Sequence, residues 1–165
     1  QSIKFLIGSI QLEREQYDAA QQTFYEAYKL APAYTEAALL YGVSAIYAGD
    51  DAARDRAFSS LEPAVMYTKP HIGRAYSAAG RTGEAIDWYT QRALFFRNRT
   101  EGDREANRKH ARQAYIDQAA LLAESGRRDA AIRVIREAIA YDPAFAQKGD
   151  EIISQIMAGT YPPEE

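Results

Sequence analysis

The chain has 165 residues, 47% of them hydrophobic and 26% charged, and a formal net charge of −3. This length supports one domain with a real core, and the charge gives no electrostatic reason to expect a nucleic acid or an anionic membrane as a partner. Because there is no cysteine, disulfides and thiolate metal sites are excluded. Cysteine usage therefore does not indicate whether the protein resides in an oxidising or a reducing compartment. The chain begins with Gln1 and shows no leader pattern, so we expect a processed chain or part of a larger protein.

Membrane insertion by this segment is not predicted. The longest uncharged apolar run covers residues 37–49 and is 13 residues long. A membrane-spanning helix needs about 20 such residues.

Apolar residues recur at helical spacing along almost the whole chain, and no segment alternates like a strand. Glycine and proline interrupt this pattern at regular intervals, which predicts helices of roughly 12–15 residues joined by tight turns. The interrupting residues are Gly49, Gly80, Gly126, Pro32 and Pro143.

One pattern repeats between these turns: a small residue, a large apolar residue four positions later, a small residue at seven and a proline at twelve. It occurs at Ala131, Ile135, Ala138 and Pro143. The first segment matches it at every position, with Ala20, Phe24, Ala27 and Pro32. Small residues at these positions allow two helices to approach closely, and the large residue fills the remaining gap.

The second segment departs from the pattern. Tyr41 and Gly42 are in register, but Arg54 replaces the small residue. A short insertion restores the spacing, with Ala57, Leu61 and Ala64 in the three positions and Pro63 between them. We therefore expect the second helix of this segment to be short or bent.

These features resemble the tetratricopeptide repeat, a helix–turn–helix unit of about 34 residues. The resemblance implies an all-α, right-handed α-solenoid of stacked antiparallel helix pairs in a single domain. Its boundaries would be four repeats at 1–34, 35–65, 66–98 and 112–145, an extended helical insertion at 99–111, a capping helix at 146–158 and a tail at 159–165. Thr100 is the candidate cap at the start of the inserted helix. Lys4, where the family has an aromatic residue, is a departure.

The resemblance also implies a concave groove that binds a peptide, lined by the first helices of the repeats. Carried over by register, the groove residues are Phe5, Ser9, Leu12, Leu39, Val43, Ile46, Tyr47, Arg74, Ser77, Ile116 and Ala120. The partner would be an apolar or amphipathic segment. The alternative remains open that Leu39, Val43 and Ile46 are covered by neighbouring helices.

Arginines cluster in the predicted insertion and directly after it. Arg104, Arg108 and Arg112 are four positions apart and would form one ridge on a helix. The ridge is either a solvated helix face or a patch for an acidic partner, and nucleic acid is the weakest candidate because the chain is acidic overall.

Residues for catalysis or metal binding are sparse. The only histidines, His71 and His110, are 39 positions apart, and no nucleophile motif such as G-x-S-x-G is present. We therefore predict no enzyme, no metal and no cofactor. The predicted function is a non-catalytic scaffold that binds a protein or peptide, and the alternative is a structural module that self-associates.

Overall fold

The computed structural model describes residues 2–61, 64–67 and 71–163. Within these ranges the regular structure is entirely helical, so the predicted all-α class is confirmed. Two short 3₁₀ turns cover Ala64–Tyr67 and Pro143–Phe145. Nine α-helices are described there: α1 Ser2–Glu13, α2 Tyr17–Leu30, α3 Thr35–Ala48, α4 Asp51–Ser59, α5 His71–Ala78, α6 Thr82–Asn98, α7 Arg104–Glu124, α8 Arg128–Tyr141 and α9 Ala146–Ala158.

The helices group into two compact units, residues 1–81 and residues 82–165. In the N-terminal unit, α1 packs on α2, α2 on α3, and α3 on α4 and α5. In the C-terminal unit, α6 packs on α7, α7 on α8 and α8 on α9. Helices that are neighbours in the chain therefore pack as pairs, which is the helix-pair arrangement predicted for the solenoid.

Close approach between paired helices depends on glycine in the first helix of a pair. A Cβ atom at Gly8 of α1 would lie 2.9 Å from the ring of Phe24 in α2, and one at Gly42 of α3 would lie even nearer to the ring of Phe58 in α4. The two contacts are 34 residues apart in the sequence and are geometrically equivalent. They relate the helix pair α3–α4 to the pair α1–α2 by an offset of 34 residues.

The small residues of the repeating pattern are buried as predicted: Ala20, Ala27, Ala131 and Ala138 are all inaccessible to solvent. We expect Ala131→Leu to lower the free energy of unfolding by about 1–3 kcal/mol, because the larger side chain overpacks this contact. Chemical denaturation measures the effect. Ala140→Leu, at an exposed position of the same helix α8, is the control and should change stability by less than about 0.5 kcal/mol. Equal stability of the two variants would contradict the prediction that Ala131 lies at a close contact between helices.

The turns follow the sequence prediction. Gly49, Gly80 and Gly126 have φ values of 75°, 75° and 78°, in the left-handed region that glycine adopts without strain. The helix after Gly49, α4, has nine residues against 14 in α2, so the predicted short helix is confirmed. Pro63 lies outside the described residues.

The predicted helical insertion at 99–111 is helical only in part. Residues 99–103 separate α6 from α7, and only residues from Arg104 onward are helical. Asp103, rather than Thr100, caps α7: its Oδ1 accepts the backbone N–H groups of Glu105 and Ala106 at 2.8 and 3.2 Å. A carboxylate that bonds two orphan amides fixes the helix start there.

The segment predicted to be a capping helix, residues 146–158, forms the last helix, α9. Ile152 and Ile156 are buried, and α9 packs against α8. Its exposed residues are polar except for Met157 and Ala158; the polar ones are Gln147, Lys148, Asp150, Glu151 and Ser154. In the part of the chain that the structure describes, no helix combines the length and the apolar character that a bilayer span requires.

Candidate binding cleft of the N-terminal unit

The N-terminal unit contains a cleft of about 450 Å³ formed by four helices. Residues of α1, α2, α3 and α5 and of the turn after α1 contribute to its walls. The lining residues are Leu12, Glu13, Glu15, Tyr17, Glu36, Leu40, Val43, Tyr47, His71 and Arg74.

The apolar part of the cleft comes mainly from α3. Glu36, Leu40, Val43 and Tyr47 follow each other at helical spacing and therefore lie on one face of this helix. The ring of Tyr47 stacks on that of Tyr17, with centroids 4.7 Å apart and planes within 10°. Burial, and then the neighbouring Tyr17, raises the pKa of Tyr47, so its phenol stays neutral at physiological pH.

Acidic side chains predominate among the charged residues of the cleft. Glu13, Glu15 and Glu36 are all exposed, against one guanidinium from Arg74. A cationic group brought to this surface would experience a net attraction, screened by salt over about 10 Å at 0.1 M ionic strength. The cleft can therefore hold an apolar side chain that lies next to a positive charge.

Four of the eleven predicted groove residues meet in this cleft: Leu12, Val43, Tyr47 and Arg74. Leu39 and Ile46 do not, because they are buried, with 4% and 1% of their surface exposed. They point into the helix packing, so the structure contradicts a partner-facing role for them. Val43 is also largely buried and lies at the floor of the cleft.

The remaining predicted groove residues have other environments. Phe5 packs against the rings of Phe24 and Tyr34, at 5.7 and 5.2 Å between centroids. The hydroxyl of Ser9 donates to the backbone carbonyl of Phe5. Three more predicted residues are half-buried and do not line the cleft: Ser77 in the N-terminal unit and Ile116 and Ala120 in the C-terminal unit.

Among the cleft residues that the sequence analysis missed are Tyr17, Glu36 and Leu40. Glu36 and Leu40 share the helical spacing of Val43 and Tyr47, but α3 is apolar on most sides, so this periodic signal does not single out the cleft face. Tyr17 begins α2 and carries no such periodic signal. Its place in the cleft follows only from the packing of α2 on α3.

The predicted arginine ridge is incomplete. Arg112 forms an ion pair with the buried Asp142, with its Nη1 2.9 Å from Oδ2, and so takes part in internal packing. Arg104 and Arg108 are exposed and line a smaller depression of about 260 Å³ together with Arg99 and Tyr141. Arg108 also approaches Glu105 at 3.5 Å. The ridge thus offers two exposed arginines.

Metal binding has no support among the residues placed by the structure. No group of three or more His, Asp or Glu side chains in those parts of the chain is arranged to hold a metal ion.

Helices that are neighbours in the chain and pack as pairs through small residues are characteristic of a helical-repeat protein. The family model described as Tetratricopeptide repeat matches residues 2–34 and 113–145. The chain therefore contains two tetratricopeptide repeats, and the predicted tetratricopeptide-repeat protein is confirmed. No curated protein matches the chain significantly. Tetratricopeptide repeats generally mediate protein–protein interactions.

Proposed function

We propose that this chain is a non-catalytic scaffold that binds a peptide or protein segment, and that the cleft of the N-terminal unit is part of the binding surface. The family supports the general role. The cleft supports the location, because it combines an apolar floor, an aromatic stack and exposed charges in one concave site. Apolar grooves that accept side chains of a bound segment are one of the common modes of peptide recognition.

The charges of the cleft favour a particular chemistry in the partner. Leu40, Val43 and the stacked tyrosines offer an apolar surface, and three exposed glutamates lie beside it. We infer that the bound segment carries a large apolar side chain with a lysine or arginine close to it in sequence. Burial of one such side chain contributes about 1.5–3 kcal/mol before ordering costs. The cleft alone therefore supplies a weak anchor, and further contacts along the chain would be needed for tight binding.

Selection from a random peptide library displayed on phage tests this chemistry. The expected result is enrichment of sequences in which a large apolar residue adjoins lysine or arginine. Glu36→Lys should weaken binding of the selected peptides about tenfold. It replaces an attractive charge on the rim of the cleft by a repulsive one, and the two effects together weaken the binding free energy by about 1–2 kcal/mol. Arg74→Glu should strengthen it. Fluorescence anisotropy measures both affinities.

Glu151→Lys is the matched control, because it makes the same charge change at an exposed position of α9 outside the cleft. It should leave the affinity unchanged. Peptides without a basic residue, or equal losses from Glu36→Lys and Glu151→Lys, would refute the proposed chemistry.

A further inference from the structure

Three arginines line one depression in the C-terminal unit, which we call the arginine depression. It has a volume of about 260 Å³ and lies where the turn between α6 and α7 meets the end of α8. Its lining residues are Arg99, Thr100, Arg104, Asn107, Arg108 and Tyr141. Within the part of the chain that the structure describes, the acidic residues of the same stretch, Glu101, Asp103 and Glu105, do not belong to this lining. The charged residues of the lining are therefore all positive.

Hydrogen bonds hold the backbone around the arginine depression. Asn107 is buried, and its Nδ2 donates to the backbone carbonyl of Glu101 at 2.8 Å. The carboxylate of Asp103 accepts two backbone amides at the start of α7. The turn at 99–103 is thus fixed to the helix that carries the other two arginines, so a ligand would not have to order this backbone at a cost in free energy.

Tyr141 forms another wall of the depression. It is the last residue of α8 and is half-buried. The guanidinium of Arg97 lies over its ring, 5.8 Å from the centroid, and Nη1 of Arg97 donates to the hydroxyl of Tyr115 at 3.1 Å. This hydrogen bond and, to a smaller extent, the charge of Glu137 raise the pKa of Arg97. Arg97 therefore supports the wall and is not part of the lining.

The two exposed arginines of the depression have weak internal partners. Among the described residues, no carboxylate forms an ion pair with Arg104. Arg108 approaches Glu105 only at 3.5 Å, which is longer than the about 2.7–2.9 Å of a strong charge-assisted hydrogen bond. Like charges around a small concave site repel one another. An anion bound there would relieve this repulsion, and salt would weaken the effect.

The donors of the depression fit an anion with several charged oxygens. A guanidinium is planar and presents its N–H groups as a fork that matches pairs of phosphate or carboxylate oxygens. Thr100 and Tyr141 add hydroxyl groups to the lining. A carboxylate has two oxygens and one negative charge, whereas a phosphate monoester has three terminal oxygens and a charge of about −1.5 to −2 at pH 7. The phosphate monoester therefore uses more of the donors and balances more of the charge.

We propose that the arginine depression binds a phosphate monoester on a protein partner, that is, a phosphorylated side chain. One concave site lined by three arginines fits one such group. A nucleic acid instead offers a row of diester charges and gains its affinity from many phosphate contacts. The net charge of −3 also disfavours a nucleic acid. The depression shares no residue with the cleft of the N-terminal unit, so this proposal does not depend on the peptide chemistry inferred there.

NMR titration of the ¹⁵N-labelled chain at low ionic strength tests the proposal. The probe is phosphoserine with an acetylated amino group and an amidated carboxyl group, so that the phosphate carries its only charges. We expect saturable shifts of the backbone amide signals at residues 99–108 and 141. Serine with the same end groups should cause none. The absence of shifts with the phosphorylated probe, or shifts without saturation across the whole surface, would overturn the proposal.

Three further probes separate the possible sources of the anion: glutamate with the same end groups, inorganic phosphate and a single-stranded thymidine octamer. Phosphoserine should bind about tenfold more tightly than glutamate, because its group carries more charge and more oxygens. It should bind at least as tightly as inorganic phosphate and more tightly than the octamer. Equal affinity for glutamate would indicate a carboxylate site, tighter binding of inorganic phosphate a site for the free ion, and tighter binding of the octamer a nucleic-acid site. Each of these results would overturn the proposal.

A pair of double variants tests the location. Arg104→Gln combined with Arg108→Gln should weaken binding of the phosphoserine probe about tenfold. Arg133→Gln combined with Arg136→Gln is the matched control, because both residues are exposed on α8 and do not line the depression. It makes the same change in net charge and should weaken binding less than about twofold. All four side chains are exposed, so both variants should keep the NMR spectrum of the folded chain. Equal losses of affinity in the two variants would overturn the proposal.

Discussion

Replacement of Phe24 by alanine is expected to lower the free energy of unfolding by about 3–5 kcal/mol. The ring is inaccessible to solvent, lies 5.7 Å from that of Phe5 and fills the space beside Gly8. Because α1 and α2 meet around this ring, its removal leaves a cavity that the two helices can close only by moving. Urea denaturation followed by circular dichroism measures the loss.

Leu30→Ala is the control within the same helix, since Leu30 is exposed, and it should change stability by less than about 0.5 kcal/mol. A further variant tests the contact itself. Gly8→Leu alone overpacks the joint and should cost about 1–3 kcal/mol. Combined with Phe24→Ala it should cost less than the sum, because the new side chain occupies the vacated space. Additive losses, or a loss below about 1 kcal/mol for Phe24→Ala, would contradict this account of the joint.

The helical repeat could be predicted from sequence because its main determinants are local. A glycine with positive φ, a small residue at each close approach and a large residue between them all occur at fixed intervals in one stretch of chain. Phe24 and Ile135 are buried where that pattern places them. The short α4 was also predictable, since the pattern itself is broken at Arg54.

The cleft was predictable only in part, because it depends on which side of α3 its neighbours cover. Leu39 and Leu40 are adjacent and chemically identical, yet Leu39 is buried and Leu40 lines the cleft. A helix with apolar residues on most sides gives no periodic signal that distinguishes these faces. The packing of α2 and α5 against α3 makes the distinction.

The arginine ridge shows the same dependence on distant residues. Positions 104, 108 and 112 form one row in the sequence, but the partner of Arg112 is 30 residues further along. Asp142 follows α8 directly, and the packing of α8 on α7 brings the two side chains together. From spacing alone, Arg112 is predicted to be exposed like Arg104 and Arg108.

We expect Arg112→Met to lower the free energy of unfolding by about 2–3 kcal/mol. Asp142 has 3% of its side chain exposed, and Arg112 has 29%. Methionine retains much of the apolar stem but leaves the carboxylate buried without its cation, which is the costly way to break such a pair. The partial exposure of Arg112 keeps the loss below that of a fully buried pair. Chemical denaturation checks the value.

Two comparisons separate the ion pair from other effects of the substitution. Arg108→Met lies one turn earlier on α7, where the side chain is exposed and approaches Glu105 only at 3.5 Å, so it should cost less than about 1 kcal/mol. In the Arg112→Met background, Asp142→Asn should restore part of the lost stability, because the neutral amide removes the buried charge. If Arg112→Met is no more destabilising than Arg108→Met, the ion pair with Asp142 does not stabilise the contact between α7 and α8.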